Sequence, residues 1–307
     1  MHPLIPDYNS PGQLSGFLES RGLGMRKRYG QNFLINPGIR RSLLDALEIK
    51  EGENIWEIGC GLGAMTEGLL ERGAKVTGFE IDPGFINILK ELFGSNRNFN
   101  LVEGDVLKTW PMAARDSIHN TAPDKLPGLL GNLPYNIAAV LLADFIEKKQ
   151  LFKKMVITVQ LETAQRLTAL PGTRDYSSIS VLCSAVYKIS PLMIIKGPSF
   201  YPVPRVNSRG LRFDLRNDRE EAPDIFYSLL RSLFSSRRKT IQNNLSSFIS
   251  SVIINNNKAG KTESVQAIVS GAFRQTGISG SRRAETLETG EFISLARVLE
   301  DLLKHDR

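Results

Sequence analysis

Asn132-Leu133-Pro134-Tyr135 interrupts an otherwise apolar stretch, LLGNLPYNIAAVLL (129–142), with an amide, a proline and an aromatic ring. An amide buried there without partners would cost roughly a few kcal/mol, so the segment reads as acceptors put to use. An exocyclic amine such as adenine N6 is a poor nucleophile because its lone pair is delocalised into the ring. Two acceptors that hold its N–H bonds turn that lone pair toward an incoming methyl group. The Asn132 side-chain oxygen and the Leu133 carbonyl can supply them, with Pro134 fixing the direction of the carbonyl. Tyr135 offers a face on which a base flipped from its strand can stack. Such chemistry works by alignment and needs no strong base. Taken alone, the same four residues also describe a capped, strand-ending turn.

A second group stands upstream. Glu57-Ile58-Gly59-Cys60-Gly61-Leu62-Gly63 follows an apolar run and precedes a helical pattern. Glycines there let the backbone approach a ligand at a helix N-terminus. Glu80 ends the next apolar run about 20 residues later, where a carboxylate can accept both hydroxyls of a ribose. Gly104-Asp105 follows the third run, and Asp105 can receive the amino group of an adenine. The alternatives are a tight strand-to-helix turn for the glycines, an exposed strand-end acid for Glu80 and a helix cap for Asp105. The pattern is ExGxGxG rather than the GxGxxG of dinucleotide enzymes, and no Walker-type lysine follows. A nucleoside cofactor without phosphates, S-adenosylmethionine, fits best, bound at Gly59, Gly61, Glu80 and Asp105. Cys60 reads as packing.

The elements that must position these residues alternate. NIWEI (54–58), KVTGFEI (75–81), NFNLVEGD (98–105), LPGLLGN (126–132) and KKMVITVQ (153–160) read as strands, with helices between and after them. That order predicts an α/β fold, a mainly parallel, doubly wound Rossmann-like sheet. ISVLCSAVYKIS (179–190) and SRGLRFDL (208–215) read as late strands forming an antiparallel edge, joined by the proline-rich loop KGPSFYPVPRVNS (196–208). After Asn217, four segments with three- and four-residue apolar spacing predict a small helical C-terminal domain. The expected organisation is an extension over 1–28, a methyltransferase domain over 29–216 and a helical domain over 217–307.

Composition narrows the function classes. The 307 residues carry a net charge of +7, with 41% hydrophobic residues. No apolar run approaches the roughly 20 residues of a membrane span, and the N-terminus lacks a signal-peptide pattern; a cytoplasmic location without a membrane partner is expected. Two cysteines and three scattered histidines exclude a disulfide framework and make a zinc site or a Ser/His/Asp triad a poor reading. Basic clusters at Arg21, Arg26, Lys27 and Arg28, at Lys196 and Arg205–Arg216, and at Arg237, Arg238 and Lys239 suggest a polyanionic partner and favour a nucleic-acid surface.

At this point the chain resembles the ribosomal RNA adenine N6,N6-dimethyltransferases, over roughly residues 24–300. The resemblance rests on YGQNFL (29–34), EIGCGLGAMT (57–66), GFEID (78–82), GNLPYNI (131–137), VQLETAQRL (159–167), SFYPVPRVNS (199–208), FSSRRKTIQNNL (234–245) and RRAETL (282–287). It implies S-adenosylmethionine contacts at Asn32, Leu34, Gly59, Glu80, Asp105 and Asn132, with Phe200 stacking on the target base opposite Tyr135. It also implies a substrate: two adjacent adenosines in the 3′-terminal hairpin loop of 16S ribosomal RNA, within an assembling 30S subunit, modified by a monomer. Two departures from the family pattern stand out. Ala138-Ala139 follow Ile137 where a serine is common, and Arg205 and Asn207 replace a lysine and an aspartate. The competing readings are a large-subunit adenine methylase of the macrolide-resistance type, and an assembly or transcription factor that keeps the fold for binding.

Overall fold

The apolar run Asn54–Ile58 forms strand β2, inside a seven-stranded sheet, in the computed structural model, which describes residues 6–25, 30–114, 122, 125–133, 137–255 and 262–305. The order across the sheet is β4 (Phe99–Glu103), β3 (Lys75–Glu80), β2, β5 (Gly128–Asn132), β6 (Lys154–Gln160), β9 (Ser208–Leu215) and β7 (Tyr187–Ile195). The first five are parallel to their neighbours, and β9 turns antiparallel against β6. A separate two-residue pairing joins β1 (Phe33–Leu34) to β8 (Phe200–Tyr201).

Side-chain alternation along the central strands feeds both faces of the sheet. Ile55, Leu130 and Val156 cluster with Leu43, Leu44 and Leu47 of α2 (Pro37–Leu47). Trp56 packs against Phe79, Phe145 and Phe152, with ring centroids 5.0, 6.3 and 5.4 Å away. The crossover helices are α3 (Ala64–Glu71), α4 (Pro83–Phe93), α5 (Val106–Ala113) and α6 (Ala138–Glu147), and α7 (Leu161–Leu167) follows β6. Asn36, Asp82 and Asp105 cap α2, α4 and α5, each accepting a backbone N–H of the first turn.

Contacts divide the chain into two units: residues up to Ala164 together with Lys188–Leu215, and Gln165–Tyr187 together with the residues from Arg216 onward. Two differences from the sequence expectation follow. First, residues 6–25, expected as an extension, pack within the sheet unit. Helix α1 (Pro11–Ser20) buries Leu14, Phe17 and Leu18 in one cluster with Leu62, Phe85 and Ile88 of the sheet unit. Second, the expected strand over 179–190 is mostly a helix, α8 (Ser178–Val186), and β7 begins at Tyr187. Ser180 explains the helix start: its hydroxyl accepts the Ser177 N–H at 3.0 Å and donates to the Arg166 carbonyl at 2.6 Å. The expected boundary at 216/217 therefore misses an inserted piece, because residues 165–187 pack with the later helices.

Those helices are α9 (Ile225–Phe234), α10 (Ile241–Asn255), α11 (Thr262–Thr276) and α12 (Thr289–His305). Phe226, Leu229, Leu230 and Leu233 form the buried face of α9, and Phe234 stacks on Phe292 of α12 at 5.7 Å. Among the described residues, no helix is long and apolar enough to cross a membrane.

Candidate active site

Parallel strands place their C-terminal ends on one rim, and doubly wound sheets bind ligands there. Gly59 follows β2, Glu80 ends β3, Asp105 follows β4 and Asn132 ends β5. The register carries the rim across the sheet: Ile58 lies opposite Phe79 and Gly131, and Asn132 opposite Thr158. A cavity of about 330 Å³ opens at the rim, bordered by Asn32, Gly61, Glu80, Asp105, Asn132 and Ile137 among others. A smaller cavity of about 70 Å³ shares Asn32, Gly59, Gly61 and Asn132 with it and adds Tyr8 and Leu14.

The glycine loop is shaped by what surrounds it. Gly61 and Gly63 take φ of 57° and 91°, where side chains are disfavoured. A Cβ at Gly61 would stand 3.1 Å from the Phe33 ring, and one at Gly63 only 2.5 Å from the Phe93 ring. Glu80 closes the loop from β3. Its Oε2 accepts the Gly61 N–H at 2.7 Å, and its Oε1 accepts those of Ile81 and Asp82 at 2.9 Å each. Burial, at 6% exposure, raises the Glu80 pKa, while these backbone donors pull it down. A carboxylate has about four acceptor positions. Three are already taken, so the chain's own backbone competes with the second of the two ribose hydroxyls expected there.

Asp105 does two things at once. Its Oδ1 accepts the Leu107 N–H at 3.1 Å, capping α5, and the residue borders the larger cavity. The cap and the ligand-facing position, alternatives in the sequence, coincide in one side chain. Asp82 was not anticipated from the sequence. Its Oδ1 caps α4 and its Oδ2 accepts the Gln31 Nε2–H at 2.9 Å, tying the segment before β1 to the end of β3.

Among the described residues, Asn132 is oriented by a single bond. Its Nδ2 donates to the Asn32 carbonyl at 2.8 Å, and since a carbonyl only accepts, the amide cannot be flipped there. Oδ1 is left as the acceptor, without a partner among the described residues. Leu133 is held by its N–H donating to the Thr158 carbonyl at 3.1 Å, with its side chain buried. Leu34, in β1, is buried and borders the smaller cavity. Pro134 and Tyr135 lie outside the described residues, as do Arg26, Lys27 and Arg28.

Two further groups sit under the loop. Glu57 is buried, its Oε2 accepting the Thr66 hydroxyl at 2.6 Å, and burial pushes its carboxyl up to about 7 despite that bond. Burial and the neighbouring Glu57 and Glu80 carboxyls push the Cys60 thiol well above its ordinary value. It therefore stays a thiol and packs, in line with the sequence reading. Among the described residues no group of acids, cysteines and histidines could hold a metal ion.

Phe200 is 1% exposed, opposite Leu34 in the β1–β8 pair and clustered with Leu43 and Ile195. Arg237, itself exposed, is tied to its own chain, with Nε donating to Glu285 at 3.0 Å and Nη1 donating to the Arg174 carbonyl at 2.8 Å. Arg238 and Lys239, in the same turn, are exposed, as is Arg205 in the proline-rich loop. None of these three has an ion pair among the described residues. At the Ala138-Ala139 departure, α6 starts with no side-chain cap, and Ala138 is fully buried.

Comparison with known proteins gives a consistent answer. The family model described as ribosomal RNA adenine dimethylase matches residues 22–271. A protein of Treponema denticola named ribosomal RNA small subunit methyltransferase A is 40% identical over 302 residues, 97% of each chain. One of the same name from Borreliella burgdorferi is 38% identical over 293 residues, 95% of each. Among solved structures, a dimethyladenosine transferase from Plasmodium falciparum superposes with a TM-score of 0.70 at 25% identity, covering 87% of this chain and 97% of that one. The 23S rRNA methyltransferase ErmE shares the fold, with a TM-score of 0.58 at 20% identity, over 87% of this chain and 99% of its own.

Proposed function

This chain belongs to the ribosomal RNA adenine dimethylase family, and on that premise we propose that it dimethylates N6 of two adjacent adenosines in the 3′-terminal hairpin loop of 16S ribosomal RNA, within an assembling 30S subunit, as a monomer. The activity itself is S-adenosylmethionine-dependent dimethylation of adenine in ribosomal RNA. The observation that carries the adenine-N6 chemistry is the Asn132 amide, fixed through Nδ2 and leaving Oδ1 as an acceptor on the rim shared with Glu80 and Asp105; the RNA site is what the family resemblance implies.

The site fits the cofactor. A cavity of about 330 Å³ is of ligand size, and its walls combine apolar Phe79, Phe85 and Val106 with the acids Glu80 and Asp105. Among the described residues no lysine or arginine borders either cavity, as suits a nucleoside without phosphates. Glu80 takes a ribose hydroxyl on its remaining acceptor position, and Asp105 takes the adenine amino group. Asn32, Leu34, Gly59 and Gly61 shape the walls around the rest. When bound, S-adenosylmethionine supplies an electrophilic methyl group.

The chain's own residues act on the acceptor amine. Asn132 Oδ1 and the Leu133 carbonyl each hold one N–H of the target adenine, keeping its lone pair out of conjugation with the ring. The Leu133–Thr158 bond anchors that carbonyl's residue to β6. After one transfer a single N–H remains, so one of the two acceptors suffices for the second. Pro134 limits the carbonyl's direction and Tyr135 stacks on the flipped base. Arg26, Lys27, Arg28, Arg205, Arg238 and Lys239 contact RNA phosphates.

The test is methyl transfer from labelled S-adenosylmethionine to unmethylated small subunits, with the modified nucleotides mapped by mass spectrometry. Wild type is expected to produce two adjacent dimethyladenosines in the 3′-terminal loop, and Asn132→Ala and Glu80→Ala to lose nearly all transfer. Modification confined to large-subunit RNA would overturn the substrate assignment. An Asn132→Ala enzyme working at wild-type rate would remove the acceptor mechanism.

A further inference from the structure

The chain upstream of the site takes no part in that mechanism, yet it is built into the site's wall. Ser10 Oγ accepts the Gln13 N–H at 3.3 Å and opens α1, whose Leu14 borders the smaller cavity beside Gly59, Gly61 and Asn132. Tyr8, just before the helix, is buried, and its hydroxyl donates to the Leu62 carbonyl at 3.0 Å. Leu62 lies in the glycine loop between two glycines of positive φ, Gly61 and Gly63. Burial raises the Tyr8 pKa, so the phenol remains a donor at any working pH.

Arg40 of α2 gathers the neighbouring pieces. Its Nη1 donates to the Leu34 carbonyl at 2.7 Å and more weakly to the Tyr8 carbonyl at 3.4 Å, and its Nη2 donates to Asn9 Oδ1 at 2.5 Å. Leu34 lies two residues beyond Asn32, whose carbonyl orients the Asn132 amide. A continuous set of bonds thus runs from the glycine loop through Tyr8 and Arg40 to the segment that fixes the acceptor. The loop's glycines give it freedom that the Tyr8 bond removes, and Gly61 is the residue whose N–H anchors Glu80.

We propose that residues 6–20 brace the cofactor site, and that Tyr8 and Arg40 are positioning residues that raise affinity for the methyl donor by holding the Leu62 carbonyl and the Leu34 backbone in place. The proposal rests on the methyltransferase reading of the site. Its physical basis is population: a ligand's observed affinity scales with the fraction of the protein in the binding-competent arrangement. Loss of one buried neutral hydrogen bond lowers the ratio of competent to incompetent arrangements by about fivefold, which is the most by which affinity falls through it.

Tyr8→Phe removes the hydroxyl and keeps the ring's packing. Calorimetric binding of S-adenosylhomocysteine to the full chain is expected to weaken by up to about fivefold in this variant. The KM for S-adenosylmethionine should rise by the same factor, while kcat at saturating donor and the KM for small subunits stay at wild-type values. Amide exchange at Leu62 and Gly63 should accelerate. Arg40→Lys, which retains the charge but loses the forked donation, is expected to weaken binding in the same sense. Unchanged affinity for S-adenosylhomocysteine in Tyr8→Phe would overturn the proposal, and so would an equal rise in the KM values for donor and RNA. Failure of the wild-type chain to bind S-adenosylhomocysteine would instead overturn the methyltransferase reading, before any variant is compared.

Discussion

A buried carboxyl makes folding depend on pH, and Glu57, with no ion pair among the described residues, is such a group. Its pKa rises from 4.5 to about 7, first because burial removes it from water and despite the Thr66 hydroxyl that favours its charged form. Across that window the folded state holds a proton that the unfolded chain has lost. Stability contributed by the site is therefore complete at acidic pH and declines as pH rises from about 4.5 toward 7. Glu57→Gln keeps an oxygen for Thr66 and removes the titration. The variant should be more stable than wild type at pH 8, by about 3 kcal/mol at most, with the difference vanishing near pH 4.5. Urea midpoints at the two pH values check this; a constant difference at both would show that Glu57 does not titrate in the window. Glu80, equally enclosed, differs because three backbone N–H groups compensate its charge. Two acids around the same loop thus play separate parts, one underpinning the loop and one facing the ligand.

At the scale of elements, the turn from β2 into α3 concentrates the constraints. Helix α3 has Gly63 at its N-cap with φ of 91° and no side-chain cap bond, so backbone geometry alone starts the helix. Gly63→Ala meets two costs, the left-handed conformation and a Cβ 2.5 Å from the Phe93 ring. It should destabilise the fold by about 2–4 kcal/mol, read as a lower urea midpoint, and a midpoint equal to wild type would contradict this account of the loop. The loop, the parallel strands and the acids at their ends were legible in the sequence because each has a local signal: β-branched runs, alternating glycines and a fixed spacing to Glu80. Helix α8 was not legible, because Ile179, Val181 and Leu182 carry strand propensity and tertiary packing overrides it. Its start was nonetheless marked by Ser177 and Ser180. Ser10-Pro11 likewise marked α1, a serine cap followed by proline in the first turn. Tyr8 and Phe200 had no such signal, since their roles depend on long-range pairing with Leu62 and Leu34.

For the whole molecule, the net charge of +7 implies attraction to RNA, but it does not say which cations are available to it. The structure separates them by partner. Arg212 is committed to Glu48 and Asp214, Arg282 to Glu291, and Arg237 to Glu285 and the Arg174 carbonyl. Arg238 and Lys239 are exposed and have no ion pair among the described residues, so their charge is uncompensated. Each phosphate neutralised by a cation releases counterions, steepening the dependence of log K on log salt by about 0.7–0.9. Arg238→Ala/Lys239→Ala should therefore weaken small-subunit binding and flatten the salt slope by roughly 1.4–1.8, with affinity for S-adenosylhomocysteine unchanged. Arg237→Ala should behave differently, lowering thermal stability because it releases the Glu285 carboxylate and the Arg174 carbonyl, while leaving the salt slope near the wild-type value. Titrations of small subunits over a range of salt concentrations distinguish the two. A slope flattened by Arg237→Ala alone, with none for the double variant, would reverse the assignment of the intrachain tie and the RNA contacts within that turn.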